Sequence, residues 1–340
     1  MVSRVNEEMN IMKYNYVLFD NGSIKKNKNN ADDYYYICTE ELRSMDSVRV
    51  ISYPLDYASI LFHKVRVAHA ASGLPLQKLW YPFYFKDDFK DEKQLCFIIY
   101  GYYITPDYIR YLKRKYPGCK CALIHRDLIS LWHKRNPKFT RKMVEELFDL
   151  ELTIDKKDAE TYGIYHFDEI ESKTEVNLSP EYPLSDVFFA GAAKDRLPSL
   201  IKIYDILSDS GLNCQFYITG ADTPIARPGI QYARSNMSYR QMLYYTVNSR
   251  CVMEINQGGA VGYTSRFLEA VMFNKLLVTN NMSIKESKFY NPQYIQCISN
   301  PDEINPDFIK QDITVDYQYN GEFSPKRLIL QIEELLDHER

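Results

Sequence analysis

Several things are missing from this sequence, and each absence excludes something. No stretch approaches the roughly 18 consecutive apolar residues that a spanning helix requires, which excludes a multi-pass membrane protein. Charge of one sign is missing too: 42 basic and 45 acidic residues leave a formal net charge of −3. That balance lacks the basic excess of nucleic-acid binders. Cysteine occurs 7 times, an odd number, with no CxxC pair. Neither a disulfide framework nor a zinc site is therefore suggested. The opening residues, MVSRVNEEMNIMKYN, hold no apolar core of a secretory signal, so a reduced, cytoplasmic protein is expected. Internal repeats and low-complexity tracts are absent. Core-forming material is plentiful, with 17 Phe, 29 Tyr and 2 Trp, which excludes a disordered chain. At 340 residues the expectation is two domains.

Along the chain, strand-like runs alternate with helical ones. In the first half the strands are YNYVLFD ending at Asp20, VRVISY (48–53), LCFIIY (95–100), CKCALIH (119–125) and 150–154. The nearly continuous apolar run LCFIIY suits a central parallel strand covered on both faces. Helices are expected over 55–71, from a cap at Thr105 through Lys115, and over 140–147. A polar stretch ending in proline, EIESKTEVNLSPEYP (169–183), reads as a linker. Beyond it the alternation restarts with strands at 186–190, 214–219, 251–255, 276–279 and 294–298. Helices lie between them at 197–208, 239–247 and 264–273, and an amphipathic helix over 326–338 ends the chain. This pattern implies an α/β protein of two doubly wound, Rossmann-like domains with parallel sheets. The domains are expected at 12–172 and 183–324, with a C-terminal helix over 325–340. Ligands in such sheets bind beyond the carboxyl ends of the strands.

Two features in the second half point to an anion. After the strand ending at Ile255, the loop NQGGAVGYTS carries Gly258, Gly259 and Gly262, and a helix begins near Thr264. Glycines let backbone amides approach a ligand, and the amides of a helix start favour phosphate. Arg266 and Glu269 follow, three apart and hence neighbours on one helix face. Arg266 can bond phosphate and Glu269 can accept from sugar hydroxyls; a glycine-rich turn with a surface Arg–Glu pair is the plainer alternative. Likewise the strand DVFFA leads into Gly191, with Lys194 and Arg196 just before a helix, a setting for a diphosphate or simply two solvated charges.

These segments, FFAGAAKDR, FYITG, MSYRQMLYYTVNSRCVMEINQ and GYTSRFLEAVMFNKLLVTNN, resemble the nucleotide-sugar-binding domain of GT-B glycosyltransferases of the bacterial surface-polysaccharide type. The resemblance is strong in the second half. It extends weakly to the first through YGYYITPDYIRYLKRKYPGCK and LELTIDKKDAETYG. It implies two domains facing across a cleft, an acceptor-side first domain, a donor site in the second, and a C-terminal helix that crosses back to the first domain. In that site the amides of Gly262, Tyr263, Thr264 and Ser265, with Lys194 and Arg196, hold the donor diphosphate. Glu269 binds the donor ribose, and the segments Tyr217–Asp222 and Met237–Tyr239 lie by the base. One departure stands out. Many retaining members carry two glutamates eight positions apart, the second matching Glu269, and here the first position is Val261. Gln257 or Glu254 could take part of that role.

An inverting transfer needs a general base on the acceptor side. Candidates at strand ends of the first half are Asp20, His125 and Asp127. Each has a plainer alternative: a turn residue at Asp20, a core histidine at His125, a helix cap at Asp127. Aromatic clusters at WYPFYF (80–85) and YGYY (100–103) either stack on an acceptor sugar or fill a core. The segment 55–85, with His63, Lys64, Arg66 and Lys78, either rests on a membrane surface near a lipid-linked acceptor or packs within its domain. The expected activity is transfer of a sugar from a nucleotide-diphosphate sugar to a hydroxyl of a glycan or lipid-linked glycan. No metal or other cofactor is called for if cations and helix amides neutralise the departing diphosphate. The alternatives are a sugar-nucleotide epimerase of the same shape and a sugar-binding protein without turnover.

Overall fold

The computed structural model describes residues 12–20, 33–52, 65, 68, 69, 72, 76–100, 104–257 and 262–338. The expected helix over 55–71 lies almost wholly outside them, as do Gly258, Gly259, Val261 and residues 101–103. The chain divides into two units. Unit 1 holds residues 32–172 with the preceding strand and the C-terminal residues from 321, and unit 2 holds residues 173–320.

Among the described residues of unit 1, six parallel strands form one sheet in the order β2-β1-β3-β4-β5-β6. They are β1 Tyr14–Asp20, β2 Val48–Ser52, β3 Gln94–Ile99, β4 Lys120–His125, β5 Leu150–Thr153 and β6 Tyr165–His166. Every residue of β1 is buried, as an interior strand between β2 and β3 should be. The helices are α1 Asp33–Cys38, α2 Glu40–Arg43, α3 Pro106–Lys115, α4 Ile129–Arg135, α5 Arg141–Leu147 and α6 Lys156–Tyr162. Thr105 caps α3 as expected, its hydroxyl accepting the Tyr108 amide at 3.3 Å, with Pro106 in the first turn. One face of the sheet is covered by aromatic packing. Tyr81 and Tyr84 of the WYPFYF segment stand 5.1 and 5.0 Å from Tyr108, and Phe85 is buried beside Phe97. Those rings are core.

Unit 2 carries the second sheet, β12-β11-β10-β7-β8-β9, parallel throughout. Its strands are β7 Ser185–Ala192, β8 Cys214–Thr219, β9 Ile230–Ala233, β10 Ser249–Glu254, β11 Leu276–Thr279 and β12 Ile295–Cys297. Numbered within the unit, this is the order 3-2-1-4-5-6 read in reverse, that of nucleotide-binding Rossmann sheets. The strand order reverses between β7 and β10, which pair directly, Cys251 opposite Val187. The helices are α7 Leu197–Asp209, α8 Tyr239–Val247, α9 Ser265–Met272 and α10 Pro306–Lys310.

The final helix, α11 Pro325–His338, belongs to unit 1. Leu328, Ile329, Ile332 and Leu336 enter the core formed by Tyr14, Tyr16, Leu18, Ile124 and Leu152. Tyr16 donates to the Glu333 carboxylate, and Glu333 also accepts the Lys13 amide at 2.7 Å. The first part of the stretch 169–183, expected as a linker, is bonded to unit 1. The Glu171 amide donates to Phe323 O at 2.7 Å and the Ser172 amide to Cys38 O at 3.0 Å, so these residues are pinned inside unit 1. Among the described residues, no helix is long and apolar enough to cross a membrane.

Candidate functional site

The reversal point of the unit 2 sheet gathers most of the residues singled out there. Beyond β7, a short 3-10 turn, Lys194–Arg196, feeds α7. Lys194 has φ 45°, a left-handed conformation that residues with side chains rarely adopt and that clusters at functional sites. Its exposed ammonium donates to Gln257 Oε1 at 2.7 Å, and Gln257 Nε2 donates to Asp195 Oδ1 at 3.2 Å. The loops after β7 and β10 are thereby tied together. Arg196 turns the other way. Its Nε donates to Ala192 O at 2.8 Å and its Nη1 to Ile255 O, while the guanidinium lies 5.5 Å from the Phe189 ring. Burial lowers its pKa below the usual value. Among the described residues neither cation is in an ion pair. Gly191 is small for a physical reason: a Cβ there would lie 2.7 Å from Arg196 Nη2 and 3.1 Å from Phe189.

Next to Ile255, Glu254 closes β10 and connects to the start of α9. Thr264 donates to one of its carboxylate oxygens and Thr279 to the other. Two asparagines after β11 brace the same loop. Asn280 Oδ1 accepts the Asn256 amide at 2.7 Å, and Asn281 Nδ2 donates to Gly262 O at 2.7 Å. Gly262 itself has φ 103°, which only glycine adopts without strain. Burial pushes the Glu254 carboxyl above its usual pKa, against the hydrogen bonds from Thr264 and Thr279. Residues 254–257 thus meet both the Lys194–Arg196 turn and the Gly262–Ser265 helix start. Asn280 and Asn281 escaped the sequence reading, although an asparagine pair directly after a strand is a loop-bracing signal.

Glu269 is 0% exposed. Its carboxylate accepts from Tyr239 at 2.8 Å, from Thr246 at 3.2 Å and from Arg266. Burial pushes it up to about 7, against the pull of Arg266 and the Thr246 hydroxyl. This departs from the expected ribose contact, because α8 packs over the carboxylate and the side chain does not reach solvent. Arg266 is turned inward onto Glu269 rather than outward to an anion. Tyr217, near the expected base position, donates to Ser235 O at 2.8 Å, and Ser238 caps α8 with a reciprocal Gln241 bond.

The base candidates of unit 1 do not converge. Asp20, at the end of β1, is 0% exposed and accepts from Thr39 at 3.2 Å with Arg43 3.7 Å away. His125, at the end of β4, is equally sealed, its Nε2 2.7 Å from Glu151 and its ring edge-on to Trp132 at 4.9 Å. Burial raises the Glu151 pKa, but His125 and Arg141 outweigh it and hold the carboxyl below its usual value. His125 is the core histidine of the plainer alternative. Asp127 is exposed and paired with Arg135 at 2.5 Å. At the start of α4 the Ile129 amide is taken by Asp158 Oδ2 at 2.7 Å. Among the described residues, no group of His, Cys, Asp and Glu could hold a metal ion.

No protein-family model and no curated protein matches the sequence. Solved structures do match. An α-glucosyltransferase in complex with UDP and a 13-mer DNA containing a central A:G mismatch aligns with a TM-score of 0.52 at 9% identity, over 95% of this chain and 99% of that one. The chain shares the two-domain α/β fold of that glucosyltransferase. An Anabaena protein in complex with UDP and glucose matches with a TM-score of 0.48 at 12% identity, over 95% and 99% of the two chains. A putative UDP-N-acetylglucosamine 2-epimerase from Listeria monocytogenes matches with a TM-score of 0.48 at 10% identity, over 96% and 97%. At such identities the likeness is one of fold.

Proposed function

We propose that this chain is a glycosyltransferase that moves a sugar from a nucleoside-diphosphate sugar to a hydroxyl of a glycan or lipid-linked glycan in surface-polysaccharide synthesis. The observation that carries the reading is the meeting, at the reversal point of the unit 2 sheet, of a strained Lys194, the Gln257 loop and the start of α9. Open α/β sheets bind ligands at such a point. In this reading the Lys194 ammonium and the amides of Gly262, Tyr263, Thr264 and Ser265 receive the donor diphosphate. They stabilise the negative charge that grows there as the glycosidic bond breaks. Gly191 and Arg196 form the floor of the site, Arg196 by bracing the ends of β7 and β10. Glu269 holds Arg266 and joins α9 to α8.

The test is a panel of nucleoside-diphosphate sugars with and without glycan acceptors, read as free nucleoside diphosphate. Acceptor-dependent release is the expected result. Interconversion of the sugar without acceptor would replace this reading with an epimerase, and saturable binding without any release would replace it with a binding protein.

A further inference from the structure

Thr264 opens α9 with the extended backbone of a helix cap, φ −103° and ψ 163°. Thr105, Thr140 and Ser238 open α3, α5 and α8 with the same kind of backbone, and each side-chain oxygen accepts an amide of the first turn. Thr264 makes no such bond. Its hydroxyl is turned to Glu254. Glu254 is 2% exposed, and its second oxygen accepts from Thr279, which in turn accepts the Asn281 amide at 2.9 Å. The carboxylate is thus fixed from the far side by β11 and the turn after it.

We propose that Glu254 is a positioning residue that withholds Thr264 from capping α9, and so removes an internal competitor for the amides that meet the donor diphosphate. This rests on the donor-site reading above. A threonine cap and a bound phosphate compete for the same first-turn donors. A buried carboxylate is a stronger acceptor for the hydroxyl than solvent, so the hydroxyl stays with Glu254. The strand end that carries the loop thereby also sets the state of the helix start. Sequence spacing could not show this, because Glu254 and Thr264 are ten residues apart.

Amide hydrogen exchange at the first turn of α9 and calorimetry with inorganic pyrophosphate, both on the full chain, test the inference. In Glu254→Leu the freed hydroxyl should cap the helix, slowing first-turn exchange and weakening pyrophosphate by about fivefold, the equilibrium value of an ordinary cap bond. Adding Thr264→Val should return both to about wild-type values. Thr264→Val alone should leave exchange unchanged, since no cap bond is lost. Faster first-turn exchange in Thr264→Val overturns the inference, and this variant decides even if Glu254→Leu does not fold. Unchanged exchange in folded Glu254→Leu overturns it too. Absence of pyrophosphate binding by the wild type, alongside the expected exchange pattern, counts against the donor site and not against the hold of Glu254 on Thr264.

Discussion

At the scale of single residues, Glu269 shows how far spacing carries. Its three-residue offset from Arg266 correctly places the two side chains together, as the ion pair between them shows. What the offset cannot convey is depth. The carboxylate is buried because Tyr239 and Thr246, on a different helix, close over it. Burial raises its pKa from the ordinary 4.5 to about 7. The folded state therefore keeps a proton that the unfolded chain releases. This group's contribution is greatest below about pH 4.5 and is lost as pH rises through about 7. Unfolding free energies by urea titration should decline across that window by about 1–3 kcal/mol more in the wild type than in Glu269→Gln. Parallel pH profiles for the two proteins would contradict the burial account. Lys194, by contrast, was legible as a cation after a strand, but its left-handed backbone was not, since nothing in its neighbours demands it.

At the scale of elements, the long apolar strands and the capped helices were legible in the sequence. β1, β3, β4, β8, β10 and β11 fall where apolar runs place them, because interior parallel strands are apolar on both faces. The misses are short elements: the edge strands β6 and β9, and the helices α1, α2, α4, α6 and α10, of which the longest have 7 residues. β6 has two residues and β9 four, too few for a period to show. The first part of the polar stretch at 169–183 is held to unit 1 by backbone and side chains alike, through the Glu171 and Ser172 amides, the Ser172 hydroxyl, the Glu169–Arg126 ion pair and Ile170 in the core, and none of these distant partners shows in its polar composition. The loop from β10 to α9 is held in a comparable way by side chains from beyond β11, with Asn281 bonded to both the Gly262 carbonyl and the Ser283 amide. Asn281→Ala should release the Gly262 end of this loop. Donor KM should rise by roughly tenfold, as expected for a lost bond of about 1 kcal/mol plus a looser loop. The melting temperature should move little. A change in kcat with no change in KM would show that the loop does not meet the donor.

For the whole molecule, the order of the chain matters more than its composition. It builds most of unit 1, then all of unit 2, then returns with α11 to finish the unit 1 core. The amphipathic stripe of that helix was evident in the sequence, and its partner face, built on Tyr14, Tyr16 and Leu152, is what the structure supplies. Four nearly sealed aliphatic side chains of α11 are worth about 1.5–3 kcal/mol each, against a domain stability of about 5–15 kcal/mol. Removing residues 325–340 should therefore abolish the calorimetric transition of unit 1 while leaving that of unit 2. Loss of both transitions would show that unit 2 depends on unit 1 for its stability.

Calorimetric titration of nucleoside diphosphates into the intact protein and into Lys194→Ala tests the central claim most directly. Lys194 is exposed and bonded only to Gln257 among the described residues, so the variant should fold and melt like the wild type. The account predicts one site per chain in the wild type and a loss of about 10–100-fold in affinity in Lys194→Ala, the equivalent of one charged hydrogen bond. Equal affinity of the two proteins, or no binding of any nucleoside diphosphate by the wild type, would contradict it.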